Sequence, residues 1–290
     1  AARHFLARPM AQVIVDEAGQ VTEPESLCSL LLPKEIERIV LVGDPKQLLA
    51  IIRSPAAKSL GLGVSLLERL SYTPGANPKL LSLQYRMHPA INAFPSGYFY
   101  EGQVATAANV GLRSPSILAH PRCPGKPVPL LFWDVDATPH KPVSKTATNN
   151  AKSYLNSGEA HRVAHLAWEI KRACSQKEPP LTVAVLSWYN GQVDVCSQLL
   201  AGAHVHVGGV VTAQGSEWDY VILSAVRGGH GSLGIVGDKN LFNVALTRAR
   251  LGLCVVGSLK KLRAHRLWRR FLSHCLLNDA ICEDEPLVLG

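Results

Sequence analysis

Val13-Ile14-Val15-Asp16-Glu17 is the stretch that decides the fold class. Three branched apolar residues run straight into two adjacent carboxylates. A short continuous apolar run reads as a strand buried on both faces, and such strands belong to parallel sheets with helices on either side. Ligands of open α/β sheets bind beyond the carboxyl ends of the strands. An Asp in that place can hold Mg²⁺, usually through water, and the next Glu can orient or deprotonate an attacking water. The same residues also read as a strand that ends in a solvated acidic turn. This stretch alone leaves both readings open.

Four similar runs follow: Ile39–Val42, Val183–Leu186, Val221–Leu223 and Leu253–Val256. They alternate with helical patterns, which points to an α/β fold with a parallel sheet. Asn156 caps one expected helix, and Glu159 sits where a capping box needs it. Val163, Leu166, Ala167, Ile170 and Ala173 then recur at helical spacing. A second helix is expected from about Lys260 to Leu277, with Leu262, Leu267, Phe271 and Leu272 apolar and Arg263, Arg266, Arg269 and Arg270 between them. Residues 102 to 151 are rich in Pro, Gly, Ala, Ser and Thr and read as long loops around one strand, Leu130–Trp133.

The 290 residues allow one large domain or two of ordinary size, and an apolar fraction of 47% supplies a core. No apolar run approaches a membrane span, and no apolar h-region follows the charges at the start, so a signal peptide is not expected. The chain lacks an initiator Met, which raises the expectation that it starts partway through a longer protein. A net charge of +8 favours polyanionic partners such as nucleic acid. Seven cysteines, an odd count with no CxxC pair, read as reduced, buried thiols of an intracellular protein, nuclear or cytoplasmic. His161 and His165 have the spacing of paired metal ligands but no evident further ligand, so a solvated pair is expected. Trp188 and Trp268 read as core or interface aromatics.

Four further segments carry chemistry. In Leu41-Val42-Gly43-Asp44-Pro45-Lys46-Gln47-Leu48, Gly43 permits close backbone approach and Gln47 can contact a phosphate or a nucleophilic water. The alternative is an ordinary Gly-Asp-Pro turn. In Gln84-Tyr85-Arg86-Met87-His88-Pro89, Arg86 can present its planar fork to phosphate oxygens, or it is a surface Arg before a helix that accepts Pro in its first turn. Gln214-Gly215-Ser216-Glu217-Trp218-Asp219 leads into the strand from Tyr220. In Asn243-Val244-Ala245-Leu246-Thr247-Arg248-Ala249-Arg250, Arg248 could reach into a cleft if the segment is helical.

The order of these segments is more telling than any one of them. Asp-Glu-Ala-Gly-Gln, Gly-Asp-Pro-Lys-Gln-Leu, Gln-Tyr-Arg-Met-His-Pro, Gln-Gly-Ser-Glu and Val-Ala-Leu-Thr-Arg-Ala-Arg resemble motifs II to VI of superfamily 1 helicases, in the up-frameshift-like group that includes senataxin and the zinc-finger helicases. The spacers Phe94–Gly102 and Ser153-Tyr154-Leu155-Asn156, followed by Glu159, resemble that group too.

The resemblance implies RecA-like parallel sheets flanked by helices. Residues 1–80 would be the C-terminal remnant of a first RecA-like domain and 81–290 a complete second one. ATP would lie between two such domains, with Mg²⁺ held by Asp16 and Glu17 as general base. Gln47 would sense the γ-phosphate. Arg86 and Arg248 would act as arginine fingers, Glu217 would bind the ribose, and Tyr85 would lie near the nucleotide. Thr212 and Gln214 would meet nucleic acid, with Gly209 at a place where the family often has Thr or Ser. The implied activity is ATP-dependent translocation, 5′ to 3′, along single-stranded RNA or DNA, with RNA or RNA–DNA hybrids favoured. No Gly-x-x-x-x-Gly-Lys-Ser/Thr loop precedes Asp16. The upstream half of the helicase core is therefore an expected partner, and this chain alone is expected to be inactive; no membrane partner is expected. The alternative is a non-catalytic nucleic-acid- or protein-binding remnant. A Rossmann-type dehydrogenase would need a Gly-rich turn after the first strand, and none is present.

Overall fold

The computed structural model describes residues 11–31, 35–112, 118, 128–135, 153–228 and 232–283. The chain forms two compact units, Ala1–Leu80 and Leu81–Gly290.

In the first unit, strands β1 (Gln12–Val15) and β2 (Arg38–Leu41) pair in parallel, from Gln12 opposite Arg38 to Val15 opposite Leu41. Helix α1 (Glu23–Leu31) starts with a reciprocal cap: the Glu25 carboxylate accepts from the Thr22 amide at 3.0 Å and the Thr22 hydroxyl at 2.7 Å. Helices α2 (Pro55–Ser59) and α3 (Leu66–Ser71) follow, with Ser65 Oγ capping α3 at the Glu68 amide. Arg69 on α3 grips Glu23 on α1 with two nitrogens, both at 2.7 Å. The expectation that each strand is buried on both faces fails here. Ile14 is 61% exposed and Ile39 47%. Among the described residues only two strands pair in this unit, and a two-stranded ribbon cannot cover both of its own faces.

The second unit opens with β3 (Leu83–Gln84), helix α4 (Pro89–Phe99), β4 (Ala105–Thr106), which pairs with β3, and helix α5 (Ala108–Gly111). Strand β5 (Leu130–Asp134), helix α6 (Ser157–Cys174), β6 (Val183–Ser187), helix α7 (Asn190–Leu199), β7 (His206–Gly209), β8 (Trp218–Ser224), helix α8 (Lys239–Leu246), β9 (Ala249–Gly257), helices α9 (Leu259–Leu262) and α10 (Arg266–Leu277), and β10 (Ile281–Glu283) complete it. Six strands form one parallel sheet in the order β10-β5-β9-β8-β6-β7.

The apolar runs expected at 183, 221 and 253 lie inside β6, β8 and β9, and here both faces are buried. Val185, Ile222 and Cys254 share a core with Val163, Ala167 and Ile170 of α6 and Cys196 of α7. Ala184, Leu223 and Val255 alternate with them and are also fully buried, so a second layer covers the opposite face. Phe94, Phe242, Trp268 and Phe271 form an aromatic cluster with centroids 4.6–6.3 Å apart, mostly edge to face. Trp188 and Trp268 are buried as expected, 6.1 Å apart.

Three expectations need correction. The helix expected from Lys260 to Leu277 is two helices, broken at residues 263–265. Leu262, Leu267 and Trp268 are all buried, yet positions five and six apart on one helix cannot share a narrow face. The break resolves the conflict. The loop region after 102 contains β4 and α5 as well as the expected strand at 130; much of the remainder, with Cys123, lies outside the described residues. Of the six described cysteines, all free, Cys28 is exposed rather than buried.

Candidate functional site

The first unit brings Asp16, Glu17 and Gln47 to one edge, because β1 and β2 are parallel neighbours and both end there. The two turns interlock through backbone: the Ala18 amide donates to Val42 O at 2.8 Å. A Cβ on Gly43 would lie 2.9 Å from the amide nitrogens of Ala18 and Gly19, so only glycine fits. Glu17 is left-handed at φ 51° and both carboxylates face solvent. Asp16 Oδ1 accepts from the Glu17 amide at 2.9 Å, and Glu17 Oε2 accepts from Gln20 at 2.8 Å. Asp44 folds the second turn: its Oδ1 accepts the Lys46 amide at 2.8 Å and its Oδ2 accepts Gln47 Nε2 at 2.9 Å. Exposed carboxylate oxygens at a strand end suit Mg²⁺, which is commonly bound by one or two carboxylates together with substrate phosphates. Among the described residues no group of three His, Cys, Asp or Glu converges on a point, so no all-protein cage competes with that arrangement.

In the second unit, Gln84 organises the turn that carries Tyr85 and Arg86. Its Oε1 accepts the amides of Arg86 at 2.8 Å and Met87 at 2.7 Å, while its Nε2 donates to Met87 O and to Thr106 Oγ1. Tyr85 is left 62% exposed. Arg86 Nε reaches Glu217 Oε2 at 2.5 Å, and its Nη1 reaches Thr247 O at 3.1 Å. These residues are 131 and 161 positions apart in sequence.

Glu217 is held from a second side. Arg250 Nε lies 3.0 Å from Glu217 Oε1, and Arg250 Nη1 lies 3.5 Å from Asp219 Oδ1. Asp219 Oδ2 is fixed by the Thr182 amide and hydroxyl at 2.8 and 2.7 Å. Arg250 occupies a β-bulge: Trp218 pairs with Ala249 and Tyr220 with Gly252, so one residue of β8 faces two of β9. Partial burial pushes the Glu217 carboxyl up, but Arg86, then Arg250 and Arg248, outweigh burial and hold it below the usual range.

Arg248 lies between α8 and β9 rather than on the helix, and it is 1% exposed. Its Nε donates to Val244 O at 2.9 Å, Nη2 to Thr247 Oγ1 at 2.9 Å and Nη1 to Ser216 O at 3.3 Å. Arg86, Glu217 and Arg248 thus meet at the amino ends of β8 and β9. Thr212 lies at the other edge, just beyond the carboxyl end of β7, where its hydroxyl donates to Gly209 O at 3.0 Å. Gln214 is half-buried in the turn that leads back to Glu217.

Sequence reasoning missed Gln84, Asp219 and the role of Arg250. Arg250 had a signal, as the second Arg of Thr-Arg-Ala-Arg. Gln84 and Asp219 lie inside the quoted segments, but nothing local assigned their roles, since each acts through backbone groups or a partner far off in sequence. His161 bonds the Ser157 carbonyl at 2.8 Å, and His165 lies 3.7 Å from Glu169. Among the described residues, no helix is long and apolar enough to cross a membrane.

Two family models, each described as an AAA domain, match residues 1–55 and 62–260. Human 3′-5′ exoribonuclease HELZ2 is 37% identical over 282 residues, which is 91% of this chain and 9% of that protein. The Arabidopsis thaliana regulator of nonsense transcripts 1 homolog is 35% identical over 283 residues, 94% of this chain and 22% of that protein. Schizosaccharomyces pombe ATP-dependent helicase upf1 is 34% identical over 275 residues, 91% and 28% respectively. The chain spans less than a third of the length of each of these relatives. It belongs to the up-frameshift-like group of superfamily 1 helicases.

Proposed function

We propose that this chain is the motif II to VI portion of an ATP-driven motor that moves 5′ to 3′ along single-stranded nucleic acid, with RNA or RNA–DNA hybrids as the favoured track. Residues 1–80 serve as the last part of a first RecA-like domain and 81–290 as the second. The observation that carries this reading is the meeting of Arg86, Glu217 and Arg248, drawn from three distant segments, at the amino ends of β8 and β9.

In this reading Asp16 holds Mg²⁺ through its carboxylate, and Glu17 takes the proton of the attacking water. Gln47, steadied by Asp44, reports on the γ-phosphate. When bound, ATP and Mg²⁺ supply the transferring phosphoryl group and neutralise part of its charge. Arg86 exchanges the Glu217 carboxylate for a phosphate oxygen; Glu217 is then free to accept a ribose hydroxyl while Arg250 keeps it ionised. Arg248 adds a second positive charge, and Tyr85 stays open to the nucleotide. Thr212 and Gln214 face the strand. In this reading a Gly-x-x-x-x-Gly-Lys-Ser/Thr loop of the helicase core, which residues 1–15 do not contain, wraps the phosphates, and hydrolysis depends on it.

In the full-length protein, Arg86→Ala and Arg248→Ala should each lower RNA-stimulated ATP hydrolysis by about 10³-fold or more. Arg86 is half-exposed and tests the chemistry with little effect on folding. Undiminished hydrolysis in both variants sinks the reading, and unwinding of duplexes with 3′ but not 5′ overhangs overturns the direction. A second reading, a non-catalytic binding module, draws on the tight burial of Arg248; it is favoured if the full-length protein binds RNA yet hydrolyses no ATP in its presence.

A further inference from the structure

The chain leaves β8 through an unusual turn. Val226 is fully buried, β-branched and left-handed, with φ at 67°. The Arg227 amide donates back to Ala225 O at 2.7 Å, closing a γ-turn around it. A γ-turn with positive φ is rare and strained, and a β-branched residue there is a true outlier. Such strain persists only where the surroundings over-determine it.

The N-terminus of α6 does so. One oxygen of Glu159, Oε1, accepts the Val226 amide at 2.7 Å and the Ser224 hydroxyl at 2.8 Å. Asn156 Nδ2 lies 3.4 Å from Val226 O, so both peptide groups of Val226 are engaged. Gln192 braces the pair: its Nε2 donates to Ser224 Oγ at 2.9 Å and to Asn156 O at 3.2 Å, and its Oε1 accepts the Asn156 amide at 2.8 Å. Ser187 Oγ donates to Ser224 O at 3.1 Å. The turn sends Arg227 back over the Tyr154 ring, 4.4 Å from its centroid, where it also bonds Ser232 O. Tyr154 in turn packs edge-on against Tyr189 at 5.3 Å. All of this lies at the carboxyl ends of β6 and β8, the sheet edge that also carries Thr212.

We propose that Glu159 is a positioning residue: its carboxylate holds Val226 in the γ-turn that places Arg227 over Tyr154, and so shapes the nucleic-acid-facing edge from inside the core. The last clause rests on the reading of the Thr212 edge given above.

Burial, opposed by the Val226 and Ser224 hydrogen bonds, pushes the Glu159 carboxyl up to about 7. Among the described residues, the titratable group set against it is the Cys196 thiol of α7, raised to about 12 by burial and by the Glu159 charge; Arg227 and the phenols of Tyr154 and Tyr189 lie together on the far side of the Val226 turn. Strands β6 and β8 present the neutral Ser187 and Ser224. Opening the turn would release Glu159 to water, where it ionises more easily. Opening therefore becomes easier as pH rises towards 7, by up to about tenfold per pH unit.

The test is amide hydrogen exchange at Val226 in this chain, with binding of a labelled single-stranded RNA oligonucleotide read by anisotropy. Glu159→Ala should speed Val226 exchange at least about tenfold and weaken RNA binding several-fold. Glu159→Gln, which keeps an acceptor oxygen, should restore both. After correction for intrinsic exchange, wild-type protection should fall between pH 5.5 and 7, and that of Glu159→Gln should stay flat. Unchanged protection in Glu159→Ala, or Glu159→Gln behaving like Glu159→Ala, overturns the proposal. If Glu159→Ala does not fold, the pH profiles decide, and a flat wild-type profile overturns it. If exchange responds as expected but no form binds RNA, the nucleic-acid reading falls and the hold on Val226 stands.

Discussion

Ile14 on β1 and Ile222 on β8 occupy the same kind of sequence, a short branched apolar run, yet one is 61% exposed and the other fully buried. The apolar run encodes a strand in both units. Burial, however, depends on what lies next to the strand. In the second unit each central strand has a paired neighbour on both sides and a covered face above and below. Among the described residues of the first unit, two strands stand together without that cover. The acidic residues proposed for catalysis sit on the open pair, and the basic ones are anchored in the packed sheet.

Paired substitutions can break or sharpen this contrast. Ile222→Ala should cost roughly 2–5 kcal/mol, since it leaves a cavity in a closed core, whereas Ile14→Ala should cost less than about 1 kcal/mol. Urea unfolding of each variant measures the difference, and equal losses would show that the first unit is covered as well as the second.

The next effect belongs to the packed unit. Glu159 titrates at about 7 in the folded protein against an ordinary 4.5. The folded state holds the proton more tightly, so the stability this group contributes is full below pH 4.5 and is lost as pH rises through 7. The span is on the order of 3 kcal/mol. Glu159→Gln should remove that part of the pH dependence, measured as the difference in unfolding free energy between pH 5 and pH 8. An unchanged profile would place the group's titration elsewhere.

The smallest effect belongs to the open unit. Ser65→Ala deletes the cap of α3 and should cost about 1 kcal/mol, read in the same urea experiment. A loss several times larger would mean that α3 holds the whole first unit together.

What the sequence made legible was local. Strands β6, β8 and β9 and the Asn156 cap follow from runs and spacings within a few residues. The short strands β7 and β10 carry too little apolar signal: His206-Val207-Gly208-Gly209 and Ile281-Cys282-Glu283 read as nothing in particular. Glu159 was legible as half of a capping box, and its Oε2 does lie 3.5 Å from Asn156 Nδ2, but Oε1 is committed elsewhere. The Asn156 amide it would have accepted is taken by Gln192, 36 residues on, and its oxygen serves Ser224 and Val226 instead. The candidate site divides in the same way. Motif order identified Arg86, Glu217 and Arg248 one by one. That Arg86 and Glu217 form a 2.5 Å ion pair with each other depends on a contact across 131 residues, which no local pattern encodes.

The bulge opposite Asp219 has a mechanical meaning. Strand β8 is a strut of seven residues, about 23 Å long, tied to β6 and β9 along its flanks. Glu217 stands at its foot and the Val226 turn near its head. A strut so tied does not stretch, and its ladder to β9 has its irregular joint at the foot, beside Arg250. The regular ladder thus ends where Arg86 and Glu217 meet, and side chains take over there: Thr182 and Arg250 hold Asp219, and Arg86 and Arg250 hold Glu217.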